Sequence, residues 1–299
     1  MFIIRNRKIF FILSIILVVI SLSAVTAWGL NFGIDFTGGS ITEVSYTDRP
    51  DKEELEKRLS TLPIGGFSLR ASGENNYILR TRDLVEEERV AVFTILSLGG
   101  TVAMEQERFN SIGPVIGEEL RNKALFAIGT VMFAIILFVA FAFRKVSKGV
   151  KSWKYGLIAI VALLHDIIIP VGMFAVLGKF IGAEVDVLFV MALLAILGYS
   201  VNDTIVVFDR VRENLRNNEE RNIREDFEIT VGRSLEQTFT RSINTSITTA
   251  LVLITLFAIG APATQFFALT LLVGVIAGTY SSIFLATPLL VAVSGFKRK

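Results

Sequence analysis

Residues 187–208 read VLFVMALLAILGYSVNDTIVVF, an apolar run long enough to cross a bilayer, with Asp203 inside it. A carboxylate at that depth costs roughly 2.5–3.5 kcal/mol on insertion scales unless it is protonated, paired or hydrated. Such a residue points to movement of protons or ions across a membrane. The alternative is a structural polar contact tying two membrane helices together. Five further runs have the same character, at 9–28, 124–143, 155–177, 242–259 and 266–293. The chain is 52% hydrophobic and only 19% charged over 299 residues, too apolar for one soluble domain of that length. The first run follows Arg5, Arg7 and Lys8, as a signal peptide would, but is longer than a signal h-region and is read as a retained helix.

The short loops set the orientation, because Lys and Arg accumulate on the cytoplasmic side. Basic residues gather at Arg5, Arg7 and Lys8, at Arg144, Lys145, Lys148, Lys151 and Lys154, between residues 209 and 241, and at Lys297, Arg298 and Lys299. The loop 178–186 holds Lys179 alone, and 260–265 holds no basic residue. Both termini are therefore expected in the cytoplasm, with residues 30–123 outside.

That outer segment alternates strand-like and helix-like stretches: strand 40–46, helix 50–59, strands 67–71 and 77–82, helix 84–98 and strand 101–109. The order β-α-β-β-α-β is the ferredoxin-like arrangement. Its entry, WGLNFGIDFTGGS at 28–40, and its exit, IGPVIGEEL at 112–120, are glycine-rich. Gly33, Asp35, Gly38, Gly39, Gly113, Pro114 and Gly117 are read as a shaped hinge between domain and membrane, with glycines permitting turns closed to other residues. The glycines resemble a phosphate-binding loop only superficially, since the Gly-Lys-Ser/Thr ending is missing.

Other polar residues interrupt the apolar runs. His165-Asp166 lies in the third, with Pro170 four residues on, and suits either a proton relay or a neutral helix-to-helix contact. Asp203, with Asn202 beside it, lies roughly 7 Å from the inner end of the fourth at 1.5 Å per residue. In the fifth, Arg241, Asn244, Thr245, Thr248 and Thr249 share a helical face, and Arg241 is expected at a depth similar to Asp203. The bland reading of Arg241 is a positive-inside anchor. In the sixth, Gly274 and Gly278 permit close packing, and Tyr280-Ser281-Ser282 adds hydroxyls. Between the fourth and fifth, Ile223, Phe227, Val231, Leu235 and Phe239 recur every four residues, the pattern of an amphipathic helix on the cytoplasmic surface or under the bundle.

With no cysteine and one histidine, disulfides, thiolate chemistry and Cys- or His-rich metal sites are excluded. An intramembrane protease would need GxGD, HExxH or a serine dyad, and none is present. No enzymatic activity, metal, cofactor or nucleic-acid partner is expected.

Taken together, six helices, the Gly-Ile-Asp-Phe-Thr-Gly-Gly entry, the Ile-Gly-Pro-Val-Ile-Gly exit, the run 198–214, the run 241–249 and Gly278-Thr279-Tyr280-Ser281-Ser282 resemble the SecF family of protein-export membrane subunits. The resemblance covers essentially the whole chain. It implies an α-helical polytopic membrane protein, an RND-type half-transporter of six transmembrane helices with an extracytoplasmic ferredoxin-like α+β domain. The segments are 1–29 for the N-terminus and first helix, 30–123 for the outer domain, and 124–299 for the remaining helices with an amphipathic segment at about 209–241. It further implies pairing with SecD in the prokaryotic cytoplasmic membrane and work beside the SecYEG translocon with SecA or YidC/YajC-type proteins. The assembly would act on a translocating preprotein at the expense of the proton gradient. The family's proton-conducting acid and arginine fall on Asp203 and Arg241. Asn202, Asp166 and His165 are the further relay candidates, and Asn244, Thr245, Thr248, Tyr280 and Ser281 the polar face. A scaffold that assembles the translocase without conducting protons explains the helix packing but gives no reason for Asp203.

Overall fold

A computed structural model describes residues 2–143 and 152–294. Arg144, Lys145, Lys148, Lys151 and residues 297–299, used above for orientation, lie outside the described residues. Two compact units emerge, one from Met1–Asn31 with Phe126–Lys299, the other from Phe32–Leu125.

The second unit carries a four-stranded antiparallel sheet in the order β2-β3-β1-β4, with β1 at Gly39–Tyr46, β2 at Ser68–Ser72, β3 at Asn76–Thr81 and β4 at Met104–Ile112. A short helix α3 (Ile34–Thr37) leads into β1, and the strands alternate with α4 (Lys52–Leu59) and α5 (Glu86–Leu96) as β-α-β-β-α-β. Asp51 caps α4 by accepting from the Glu54 N–H at 3.3 Å. Period-two alternation in β1 and β3 sends Val44, Tyr46, Tyr77 and Leu79 onto Leu55, Leu59, Val92 and Leu96 of the helices. The buried Tyr46 hydroxyl donates to the Leu96 carbonyl at 3.1 Å, and burial, with a smaller push from Tyr77, raises its pKa to about 12. The last strand starts three residues later than the sequence pattern suggests. Leu98, Gly99 and Gly100 all adopt positive φ, and the turn they build carries the chain beyond residue 101.

The first unit is helical: α1 (Phe2–Arg5), α2 (Arg7–Trp28), α7 (Ser152–Ile181), α8 (Val187–Glu220), α9 (Phe227–Ile259), α10 (Pro262–Tyr280), a π-helical turn at Ser281–Ala286 and α11 (Thr287–Val293), with most of α6 (Pro114–Ala142). Among the described residues six helices are long and apolar enough to cross a membrane. Their outward residues, such as Ile9, Ile12, Leu125 and Phe126, are exposed in the isolated chain, as lipid-facing positions are.

Three helix boundaries correct the sequence reading. Helix α6 begins at Pro114, ten residues before the expected start, because proline suits a first helical position. Gly113, Pro114 and Gly117, read above as part of a shaped hinge, lie at the start of this helix. Helix α8 runs past residue 208 to Glu220, and α9 starts at Phe227 instead of 242. No separate surface helix fills 209–241. The two extensions pair as an antiparallel hairpin, with Phe227, Val231 and Leu235 buried against Phe208 and Val211. Ile223 and Phe239, expected on the same apolar face, are exposed at the hairpin's margins. Where the extensions meet the bundle, Phe143 stacks on Tyr155 at 5.1 Å and Phe208 meets Tyr155 edge-on at 5.2 Å.

Candidate functional site

Helix α8 starts at a cap in which Asp186 accepts from the Phe189 N–H at 2.8 Å. From there its 3.6-residue period brings Ser200, Asp203, Thr204 and Val207 onto one buried face. Helix α10 lies close against that face because Gly274 and Gly278 have no side chain. A Cβ at Gly274 would stand 2.2 Å from Ile196 Cδ1, and one at Gly278 would stand 3.0 Å from Ser200 Cβ. The Gly-x-x-x-Gly pattern, weak as a sequence signal, is what lets hydroxyls of the two helices meet.

The best-satisfied polar group of the site is Asp166 on α7, fully buried. Oδ2 accepts from Ser200 Oγ of α8 and, at 2.7 Å, from Ser281 Oγ of the π turn, while Oδ1 faces His165 Nδ1 at 2.9 Å. Hydrogen bonds to a charged acceptor contribute about 1.5–3 kcal/mol each, so three partners from three elements offset much of the cost of burying a carboxylate. Beside this hub, Thr204 and Ser282 share a hydrogen bond of 2.9 Å, and Thr287 Oγ1 donates to the Ser282 carbonyl five residues back at 2.7 Å. The π turn, a form that concentrates at functional positions, holds Ser281 and Ser282 there. Tyr280 stacks on His165 with ring centroids 5.8 Å apart, donates to the Phe10 carbonyl at 2.9 Å and accepts from Ser14 of α2 at 3.3 Å.

Asp203 is the opposite case. It is 5% exposed, and its Oδ2 has no hydrogen-bonding partner. The buried Ser242 of α9 lies beside the carboxylate as its nearest polar partner, without closing a well-formed hydrogen bond. Arg241 is near enough to act on Asp203 electrostatically. It forms no ion pair with it among the described residues, and its side chain is exposed. The face expected to turn toward Asp203 therefore points away from this chain's bundle. Arg241, Asn244, Thr245 and Thr248 are all exposed, and Asn202 is exposed on α8. The face turned inward is Ser242, Ser246 and Leu253, at the same helical spacing offset by one residue. Ser246 bonds Thr279 at 2.5 Å and accepts from the Tyr199 hydroxyl at 3.3 Å.

The structure thus joins His165, Asp166, Tyr280 and Ser281 in one network, and places Asn202, Arg241, Asn244, Thr245 and Thr248 on an outward polar face. Sequence reasoning gave no site role to Ser200, Thr204, Ser242 and Ser246, and named Ser282 only as one of the hydroxyls beside Tyr280. The spacing of Ser200 and Thr204 around Asp203 was the available signal for the first two, while the π turn has no sequence signature. Among the described residues no group of three or more His, Cys, Asp and Glu side chains is placed to hold a metal ion.

The junction residues pack among themselves in the sheet unit. Gly33 precedes α3, whose first turn holds Asp35, and Thr37 donates to the Gly33 carbonyl at 3.0 Å. Gly38 and Gly39 have φ of 72° and 126°. A Cβ on Gly38 would lie 2.7 Å from Pro114 Cα, one on Gly39 2.7 Å from the Thr81 carbonyl oxygen, and one on Gly117 2.7 Å from the Gly38 nitrogen. These glycines serve close backbone contact between the entry and exit segments.

Comparison with known proteins bears on both regions. Residues 95–295 match the family described as protein export membrane protein SecD/SecF, C-terminal, and residues 29–48 match the SecD/SecF GG motif. The chain is 38% identical to the protein translocase subunit SecF of Thermobaculum terrenum, over 97% of this chain and 93% of that protein. It is 33% identical to the protein translocase subunit SecDF of Bacillus subtilis, over 98% of this chain but only 38% of that longer protein. The crystal structure of SecDF from Thermus thermophilus, described as a translocon-associated membrane protein, superposes with a TM-score of 0.82 at 30% identity, over 97% of this chain and 38% of that one.

Proposed function

Because this chain belongs to the SecD/SecF family of protein-export membrane proteins, we propose that it is the SecF-type half of a proton-driven unit promoting Sec-dependent export. Its other half would be SecD. The observation that carries this reading is the incompleteness of the Asp203 site. Asp203 Oδ2 is buried without a hydrogen-bonding partner, with Ser242 beside it and Arg241 near, and the adjoining exposed face carries Asn202 and Asn244 on helices long and apolar enough to cross a membrane. Lipid cannot satisfy such groups, and each buried one left unpaired costs several kcal/mol. A second helical protein laid on that face can. The relatives named SecDF, of which this chain spans 38%, support SecD as that protein.

In this reading Asp203, with Arg241 and Asn202 at the interface and Asp166 and His165 within the bundle, passes protons. Loading and unloading Asp203 changes the cost of keeping it dry, so helix packing follows its protonation. The chain sits in the prokaryotic cytoplasmic membrane with both termini in the cytoplasm. Its sheet domain faces outward, beside SecYEG, SecA or YidC/YajC-type proteins and the translocating preprotein. Neither a cofactor nor an enzymatic step enters.

The test uses membrane vesicles lacking the native SecF, supplied with this chain and SecD. Translocation of a preprotein, measured with and without an imposed proton gradient, should gain a gradient-stimulated component only when both proteins are present. An equal gain with the gradient collapsed would favour a non-conducting scaffold.

A further inference from the structure

His165 is the chain's one histidine and is 3% exposed. Its two ring nitrogens are treated differently. Nδ1 lies 2.9 Å from Asp166 Oδ1, whereas Nε2 is buried with no hydrogen-bonding partner. The ring has little freedom to turn. Asp166 is held from α8 by Ser200 and from the π turn by Ser281, and the stacked Tyr280 is itself fixed to α2 through the Phe10 carbonyl and Ser14. A carboxylate that engages one imidazole nitrogen fixes the tautomer and leaves the other nitrogen as a base, the logic by which acid–base sites orient a histidine.

The titratable groups facing this ring are few. On α7 there is Asp166 and on α10 Tyr280; α8 contributes the Ser200 hydroxyl through Asp166, and α2 the Ser14 hydroxyl through Tyr280. Among the described residues no Lys or Arg hydrogen-bonds or ion-pairs with His165, Asp166 or Tyr280. Asp166 is therefore the group placed to balance a positive charge on the imidazole.

We propose that His165 Nε2 is the proton-accepting atom of a second relay station in this half-transporter, with Asp166 as the residue that positions it. This rests on the proton-driven reading above and gives one atom within it a role. The Nε2 lone pair takes a proton from a water-borne hydronium ion: the N–H bond forms as the O–H bond breaks, and the imidazolium is balanced by the Asp166 carboxylate. Release to water on the other side reverses the step. Ser200 and Ser281 hold the carboxylate in place throughout.

A single histidine makes the test direct. The full chain, labelled with ¹⁵N-histidine and reconstituted with SecD in liposomes, gives one imidazole signal set by solid-state NMR. At about pH 8 the expected spectrum has a proton on Nδ1 and a bare Nε2, and acidifying the medium adds a doubly protonated ring. In Asp166→Asn the amide oxygen still accepts from Nδ1–H but carries no charge, so the doubly protonated fraction at the lower pH should fall several-fold. A proton on Nε2 at about pH 8, or a ring that never becomes doubly protonated, overturns the proposal. The wild-type spectrum alone decides between these outcomes even if the variant does not assemble. The spectrum is read without translocation, so it is independent of the vesicle assay. The expected spectrum together with export indifferent to the gradient supports the His165 assignment and counts against the proton-driven reading alone.

Discussion

Gly38 adopts φ 72° and a Cβ there would stand 2.7 Å from Pro114 Cα, whereas Gly73 adopts φ 61° and a Cβ would meet nothing within 4 Å. Left-handed backbone penalises alanine at both positions by about 1–2 kcal/mol, and only Gly38 adds a clash with another segment's backbone. Gly38→Ala should therefore speed amide exchange of 39–42 and 110–112 more than tenfold over Gly73→Ala. Equal exchange in the two variants would show that the entry and exit segments are not packed on one another. The same residues show how far sequence reaches. That the glycines matter was legible from their density; that they bring the entry and exit backbones together was not, since the partner atoms of Gly38 and Gly117 lie some eighty residues away. Asp203 was legible as a charge among apolar residues. The buried network around Asp166 was only half legible, because Ser200 and Ser281 are ordinary hydroxyl residues until α7, α8 and the π turn bring them together.

At the scale of elements, the extension of α8 and the start of α9 form a hairpin closed by a polar lock. The Asn218 amide donates to Glu225 at 3.0 Å and to Thr230 at 3.2 Å, and its carbonyl accepts from Arg233 at 3.2 Å. Arg233 also pairs with Glu225 at 3.0 Å. Asn218 is 8% exposed, so these bonds are shielded from competing water. Asn218→Ala removes these three hydrogen bonds at about 0.5–1.5 kcal/mol each, which predicts roughly a tenfold or greater rise in amide exchange across 221–226. No change there would mean that apolar packing by Phe227 and Val231 alone holds the hairpin. The four-residue period of those side chains was read correctly as helical and amphipathic. Its placement stayed open between the membrane surface and the underside of the bundle, because the same period serves a separate surface helix and one that continues a membrane helix into a paired extension. The six apolar runs and the β-α-β-β-α-β order, by contrast, rest on length and alternation, which later packing does not alter.

For the whole molecule, the proposed coupling has to satisfy an energetic condition. A proton crossing about 100 mV delivers about 2.3 kcal/mol, while moving a two-state equilibrium from 1:99 to 99:1 takes about 5.5 kcal/mol. One proton at that potential falls short and so do two, at about 4.6 kcal/mol; three, or fewer with a pH difference in addition, are needed to complete a cycle. Two carboxylates in the membrane-spanning helices, Asp203 buried with its Oδ2 unpartnered and Asp166 beside His165, are consistent with more than one proton-binding position. Asp203 is nevertheless the residue on which the mechanism turns, since without a proton to lose it cannot change the cost of its own burial. Asp203→Asn keeps size and hydrogen-bonding capacity, so assembly with SecD should persist. The decisive measurement is preprotein translocation into vesicles carrying that variant, with and without an imposed proton gradient. A proton-driven Asp203 predicts that the gradient-stimulated component disappears, to less than about a tenth of wild type, while the component independent of the gradient remains. Full gradient stimulation in Asp203→Asn would contradict it and reduce Asp203 to a structural contact.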